Sequence, residues 1–297
     1  MFRRLRLPLA PALAALALTT MLVACGDDDD AGSSGSTTST VASDDSVTDM
    51  TLVPASPPVS TPEVSVLSAP PTELKVTPIT QGTGDPAKTG DVLVVDYVGV
   101  RQADGQTFDA SYGRAPLVVT LGVTPVIKGW DQGLVGVTKG ERVQLDIPAD
   151  LAYGDSPPDS SPIQKGDALS FVVDVRDVIP APDATKQPVA TDLPPAQETN
   201  GKILVDDLVE GTGETLAAGK NGVFLMVYFD AATGEVLQTT WPDNATLVPT
   251  EDGDPSTSPA SALAGMKVGG RRAVTVPAAM AQSESDLVIV LDLLAVA

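Results

Sequence analysis

The chain has 297 residues and a formal net charge of −21, with 18 Lys and Arg against 39 Asp and Glu. That balance argues against a nucleic acid partner, because binding one requires Lys and Arg to displace phosphate counterions. There is no histidine and one cysteine, Cys25, which removes Ser-His-Asp and Cys-His catalysis, the usual zinc ligands and any intramolecular disulfide. The 26 Gly, 26 Pro and 4% aromatics suggest β-rich modules joined by loose segments, and the length suggests roughly two domains.

Arg3, Arg4 and Arg6 precede an apolar run over residues 7–23, broken by Pro8, Pro11 and Thr19-Thr20. A positive start, an apolar middle and a small residue before the cut have the layout of an export signal, expected over 1–24. An uncleaved membrane span is the competing reading. The run is short for one and meets four aspartates at once, residues 27–30. The ending Leu22-Val23-Ala24-Cys25 resembles the bacterial lipobox. That resemblance implies a diacylated Cys25 as the first mature residue, and a lipoprotein on the outer face of the bacterial cell membrane, touching it through the lipid alone. Cleavage removes three arginines and takes the formal charge from −21 to −24, so the body should stand off an anionic lipid surface. Residues 25–72 read as a disordered tether, polar and then Pro-rich, unable to bury enough apolar surface to offset chain entropy. The aspartates at 27–30 read as a solvated charge run.

Ordered pattern begins near Leu74. Strands are expected over 74–79, 91–101, 116–121, 141–147 and 168–178, with an Asp-Gly turn at 103–106. Between them Val126-Ile127-Lys128-Gly129-Trp130-Asp131-Gln132-Gly133-Leu134 reads as an apolar pair followed by a short helix. Gly129 serves there as a hinge of unusual backbone conformation, and Trp130, Leu134 and Val137 share one face. Residues 181–199 read as a second disordered linker. Residues 200–297 then repeat 73–180. Gly82, Gly84, Gly90, Gly136, Gly140 and Pro148 recur at an offset of 129, and Phe171-Val-Val-Asp174 recurs as Ile289-Val-Leu-Asp292 at 118, so the second copy lacks 11 residues between them. The fold class is α+β: two domains, each a mainly antiparallel twisted sheet wrapped around a short helix.

The first module resembles the FKBP-type peptidyl-prolyl cis-trans isomerases over residues 73–179. The motifs are Val95-Asp-Tyr97-Val-Gly99, Gly105-Gln-Thr-Phe108-Asp109-Ala-Ser111, the Val126–Leu134 stretch, Gly140-Glu-Arg142, Ile147-Pro-Ala-Asp-Leu-Ala-Tyr153-Gly154 and Leu169-Ser-Phe-Val-Val-Asp174. The resemblance implies a cleft with Trp130 as its floor, lined by Tyr97, Phe108, Val126, Ile127 and Phe171. Asp109 would stand at one wall, held by Tyr97 and Arg114, while Tyr153 and Ile163 reach in from a covering loop. Tyr97, Phe108, Asp109, Trp130 and Tyr153 would be catalytic; Arg114, Val126, Ile127, Ile163 and Phe171 would bind substrate. The Ile127 N–H and the Tyr153 hydroxyl would donate to substrate carbonyls. The implied activity turns X–Pro bonds of exported proteins and needs no metal or cofactor. Its partners would be proline-containing polypeptides and macrolide inhibitors of the class. Leu117 stands where the family often has a rim aromatic, and Gln164-Lys165 replaces an Ile-Pro-Pro run in the covering loop. Taken singly, each of these residues also reads as core or turn. A module that only holds proline segments, or a chaperone-like scaffold with little turnover, stays open beside the enzyme.

The second copy is expected to keep the fold and lose the activity. Pro259 falls at Trp130, Pro255-Ser256 at Val126-Ile127, Gln282 at Tyr153 and Leu237-Gln238 at Phe108-Asp109. Tyr228 is read as the match of Tyr97. The acidic cluster at 251–254 does not have the spacing of a calcium loop.

Overall fold

The computed structural model describes residues 61–297. Cys25, the export signal and the tether up to residue 60 lie outside the described residues. The first module is a six-stranded antiparallel sheet of β1 (Lys75–Thr80), β2 (Val92–Arg101), β3 (Thr107–Ala110), β4 (Leu117–Thr120), β5 (Arg142–Ile147) and β6 (Leu169–Ile179). Its order is β1-β5-β6-β2-β3, with β4 also on β2. The strand β3 was not expected. It follows the Asp104-Gly105 turn directly and pairs Val98 with Ala110 and Gly99 with Asp109.

Alternation decides the inner face. Leu93, Val95 and Tyr97 of β2, Val143, Leu145 and Ile147 of β5, and Phe171, Val173 and Val175 of β6 all turn to one side. There they pack with Trp130, Leu134 and Val137, carried by or following helix α1 (Lys128–Gly133). Each fully buried aliphatic side chain in such a core contributes about 1.5–3 kcal/mol. Gly129 is needed for a reason other than the expected one. Its φ lies outside the left-handed region, but a Cβ there would meet Ile147 Cγ2 at 2.4 Å. The glycine lets α1 lie against β5.

The second module contains β7 (Leu204–Val209), β8 (Asn221–Asp230), β9 (Val236–Thr239), β10 (Thr246–Pro249), β11 (Arg271–Val276) and β12 (Leu287–Val296). The order β7-β11-β12-β8, with β9 and β10 on β8, is that of β1-β5-β6-β2 with β3 and β4. The ladders also coincide: Arg142 pairs with Asp174, and Arg271 with Asp292. The helix does not recur. A single 3-10 turn, Ser261–Leu263, stands in place of α1, because Pro255 and Pro259 withhold backbone donors and obstruct the preceding turn. Leu263 and Met266 still fill the core at the places of Leu134 and Val137.

Neither segment read as a loose linker is free where it is described. Over 181–199 the chain makes 3-10 turns at Ala184–Lys186 and Ala190–Asp192. Leu193 packs beside Val227, Phe229 and Val290 on the outer face of the second sheet, and Arg271 Nη2 donates to the Lys186 carbonyl at 2.7 Å. Near the start, Gln144 Nε2 donates to the Ser65 carbonyl at 2.8 Å, and Gln102 Oε1 accepts from Leu67 N at 2.9 Å. Composition misses both attachments because the partners come from the sheets.

The modules also touch each other. Val92, Val94, Val118 and Ile179 of the first form one apolar cluster with Val223, Leu247, Leu294 and Ala295 of the second. This explains the unbroken apolar run at the start of β2: both its faces are covered. Among the described residues no helix is long and apolar enough to cross a membrane.

Candidate active site

The inner face of the first sheet, next to α1, carries a box of four aromatic rings. Tyr97 comes from β2, Phe108 from β3, Phe171 from β6 and Trp130 from α1. Tyr97 meets Trp130 edge-to-face, with centroids 5.2 Å apart at 88°. Trp130 meets Phe171 at 5.4 Å and 85°, and Phe108 meets Phe171 at 5.5 Å and 88°. Such T-shaped contacts are the favoured ones for aromatic quadrupoles. Three of the ring pairs are thus near perpendicular and the fourth, Tyr97 with Phe171, is tilted at 53°, and Trp130 is 4% exposed at the bottom.

Gly99 makes the box possible. A Cβ on it would stand 2.7 Å from both Phe108 Cζ and Phe171 Cε1. A glycine inside a strand marks such a close approach. Gly99 ends the Val95-Asp-Tyr97-Val-Gly99 motif, and its place amid a buried β run is the sequence signal for this role.

One wall is polar. The Tyr97 hydroxyl donates to Asp109 Oδ2. Arg114 Nη2 donates to Asp109 Oδ1 at 2.6 Å and also to the Ala110 carbonyl, and Ala110 N donates to Asp109 Oδ1 at 2.9 Å. Burial, and then the hydrogen bond to Asp109, push the Tyr97 phenol well above its ordinary range, so it remains a donor. Tyr153 follows the 3-10 turn Ala149–Leu151 and is 36% exposed. Burial, and then the Asp109 carboxylate, raise its hydroxyl as well.

Val126, Ile127 and Ile163 pack against the same core. Ile127 caps the start of α1 in extended conformation, and its carbonyl accepts from Trp130 N at 2.9 Å. The described hydrogen bonds give its N–H no acceptor within the chain. The structure thus brings nine of the ten expected residues into one aromatic, aliphatic and carboxylate cluster, with Tyr153 at its exposed margin. The arrangement offers an apolar floor and fixed donors at the rim. Its one carboxylate is held by a phenol and a guanidinium.

The second module has another arrangement at the same place. Met226 N donates to Thr240 Oγ1 at 2.8 Å and Thr240 N to the Met226 carbonyl at 2.9 Å. In the first module Tyr97 and Ser111 exchange these same two bonds at 3.0 and 2.9 Å. Met226, not Tyr228, is therefore the counterpart of Tyr97. Tyr228 pairs with Ile289 and Gln238, as Gly99 pairs with Phe171 and Asp109. A tyrosine thus stands where Gly99 lets the Phe108 and Phe171 rings come close, and its ring packs in the second core. Leu237 is half exposed on β9.

A family model described as FKBP-type peptidyl-prolyl cis-trans isomerase matches residues 84–176. An FK506-binding protein of Streptomyces anulatus is 45% identical over 107 residues, which are 36% of this chain and 86% of that protein. FK506-binding protein 2 of Debaryomyces hansenii is 43% identical over 93 residues, 31% of this chain and 67% of that one. The crystal structure of FkpA from Escherichia coli aligns at 38% identity with a TM-score of 0.34, covering 40% of this chain and 53% of that one.

Proposed function

The chain belongs to the FKBP-type peptidyl-prolyl cis-trans isomerase family, and we propose that the aromatic box of the first module is where its X–Pro bonds turn. The observation that carries this reading is the joining of Tyr97, Phe108, Trp130 and Phe171 with a carboxylate held by Tyr97 and Arg114. Rotation about an X–Pro bond faces a barrier of about 18–20 kcal/mol and takes tens of seconds or more uncatalysed. Twisting breaks amide resonance and leaves a less charge-separated group. An apolar floor favours that twisted amide over the planar one, which is the differential binding that catalysis requires. The Ile127 N–H and the Tyr153 hydroxyl then hold the flanking carbonyls in turn geometry. Tyr97, Phe108, Asp109, Trp130 and Tyr153 act in the reaction, while Arg114, Val126, Ile127, Ile163 and Phe171 bind the chain. Macrolides of the FK506 kind would occupy the same cleft. The test is kcat/KM of the full chain on an X–Pro peptide. Asp109→Ala and Trp130→Ala should each lower it by about 10- to 100-fold while the protein stays folded. A folded double variant that turns over at the wild-type rate would place the site elsewhere.

The second module keeps the sheet and serves as a scaffold, its inner face closed by Tyr228 and Met226. Export and anchoring through Cys25 rest on the basic start, the apolar run and the Leu22-Val23-Ala24-Cys25 ending. The working place of the enzyme is then the outer face of a bacterial membrane, with a tether leading to 73–180, a connecting segment over 181–199 and the scaffold over 200–297. Cys25→Ser should stay unprocessed and unlipidated; normal processing and membrane retention of that variant would sink the assignment.

A further inference from the structure

We propose that Tyr112, held by the Asp174 carboxylate that Arg142 also binds, is a positioning residue for the cleft, acting from the opposite face of the sheet on the loop between Asp109 and Arg114. The inference rests on the reading of the first module's cleft as the isomerase site.

The Asp109–Arg114 pair needs outside support. Its side chains are 43% and 62% exposed, and an exposed ion pair contributes only about 0–1 kcal/mol. That is too little to order the four residues between them by itself, where fixing each backbone costs about 1–2 kcal/mol. The support lies on the outer face. Asp96 and Asp174 stand opposite each other on β2 and β6, an arrangement that two carboxylates would not tolerate alone. Arg142 Nη2 donates to Asp174 Oδ2 at 2.7 Å, and Arg176 Nε donates to Asp96. The remaining acceptor capacity goes to two consecutive loop residues. Ser111 Oγ donates to Asp96 Oδ1 at 2.7 Å, and the Tyr112 hydroxyl donates to Asp174 Oδ2. Asp174 therefore receives a guanidinium and a phenol together. Burial raises its carboxyl, but the bonds from Arg142 and Tyr112 outweigh that and leave it below the ordinary range.

The second module separates what the fold needs from what the cleft needs. Its Arg271–Asp292 pair survives, at 2.6 and 2.7 Å, so that pair belongs to the sheet. Thr240 keeps the backbone exchange of Ser111. Leu225 and Leu294 stand at Asp96 and Arg176, and Trp241 stands at Tyr112. The Trp241 Nε1 is buried without a partner, and the indole lies 6.0 Å from the Arg271 guanidinium. The hydroxyl that grips the loop has gone together with the residues the loop carries, for Gln238 and Asp243 stand at Asp109 and Arg114.

The experiment is a double-mutant cycle in the full chain, with kcat/KM on an X–Pro peptide as the readout. Tyr112→Phe keeps the ring and removes the donor. It should lose about five- to tenfold, in line with small misplacements of catalytic groups. Asp109→Ala should lose more. The two together should be no slower than Asp109→Ala alone, because Tyr112 acts only through the loop that aims Asp109. A residue that merely supports the fold would give multiplying losses instead, and that result overturns the proposal. So does a wild-type rate in Tyr112→Phe while Asp109→Ala is slow, an outcome that leaves the cleft assignment standing. A wild-type rate in Asp109→Ala removes the cleft assignment and the positioning role with it.

Discussion

In the first module the residue facing Phe171 across the central ladder is Gly99; in the second the residue facing Ile289 is Tyr228. One position inside a strand thus separates a face that the Phe108 and Phe171 rings approach closely from a face covered by its own tyrosine. The sheets themselves hardly differ. Both depend on alternating apolar residues, and Leu134, Val137, Leu145 and Val173 have the counterparts Leu263, Met266, Val274 and Leu291 in the second core. A core accepts any apolar set that fills its volume, whereas the aromatic box needs a residue without a side chain at one place. Duplicated sheets can therefore diverge in the cleft while the ladder stays the same.

The sharpest way to break the comparison is to move the tyrosine. Gly99→Tyr should lower kcat/KM by more than about 100-fold, since the ring takes the place of Phe108 and Phe171 and misplaces the groups around them. The overpacking should cost about 1–3 kcal/mol, so circular dichroism should still find a folded chain. Retained activity would show that the proposed site does not depend on the ring contacts this glycine permits. The reciprocal change, Tyr228→Gly, should create no isomerase site and should destabilise the second module by about 3–5 kcal/mol, read from denaturant unfolding.

The shared interface comes next in size. Val94→Asp places a charge against Val223 and Ala295 and should cost about 2–4 kcal/mol. Calorimetry should then resolve two transitions in place of one. At 25 °C kcat/KM should stay within about twofold, because Val94 faces away from Trp130 and the change should register as stability alone. A large loss of rate without loss of fold would mean that the second module bears on the cleft.

The smallest effect is in the acid limb. The Asp174 carboxyl lies below its ordinary value of about 3.9 in the folded chain. Its stabilisation is therefore complete above that value and fades as pH falls through the lower folded one. Asp174→Asn should be less stable than wild type at pH 6, and the difference should narrow below about pH 4. A gap in denaturant midpoint that is constant from pH 6 to pH 2 would mean that the carboxylate's charge plays no part.

Much of this was legible in the chain itself. The strands followed from period-two alternation, the repeat from glycines at a constant offset, and the members of the aromatic box from motifs that the fold gathers around Trp130. The four-residue β3 was too short to show a period. The attachments of Ser65, Leu67 and Lys186 were hidden because their partners are Gln144, Gln102 and Arg271, far along the chain. Gly129 was marked as special, but only the approach of Ile147 shows why.

The match of Tyr228 to Tyr97 failed for a reason built into strands. Residues two apart share a face, so shifting the alignment by two leaves every inward and outward assignment unchanged. The sequence by itself therefore determined which face each residue of β8 takes. The offset of 129 that relates the other pairs also points to Met226, but only the tertiary structure, through the paired hydrogen bonds between Met226 and Thr240 and the ladder that sets Tyr228 against Ile289, decided that a tyrosine side chain stands where Gly99 admits two rings.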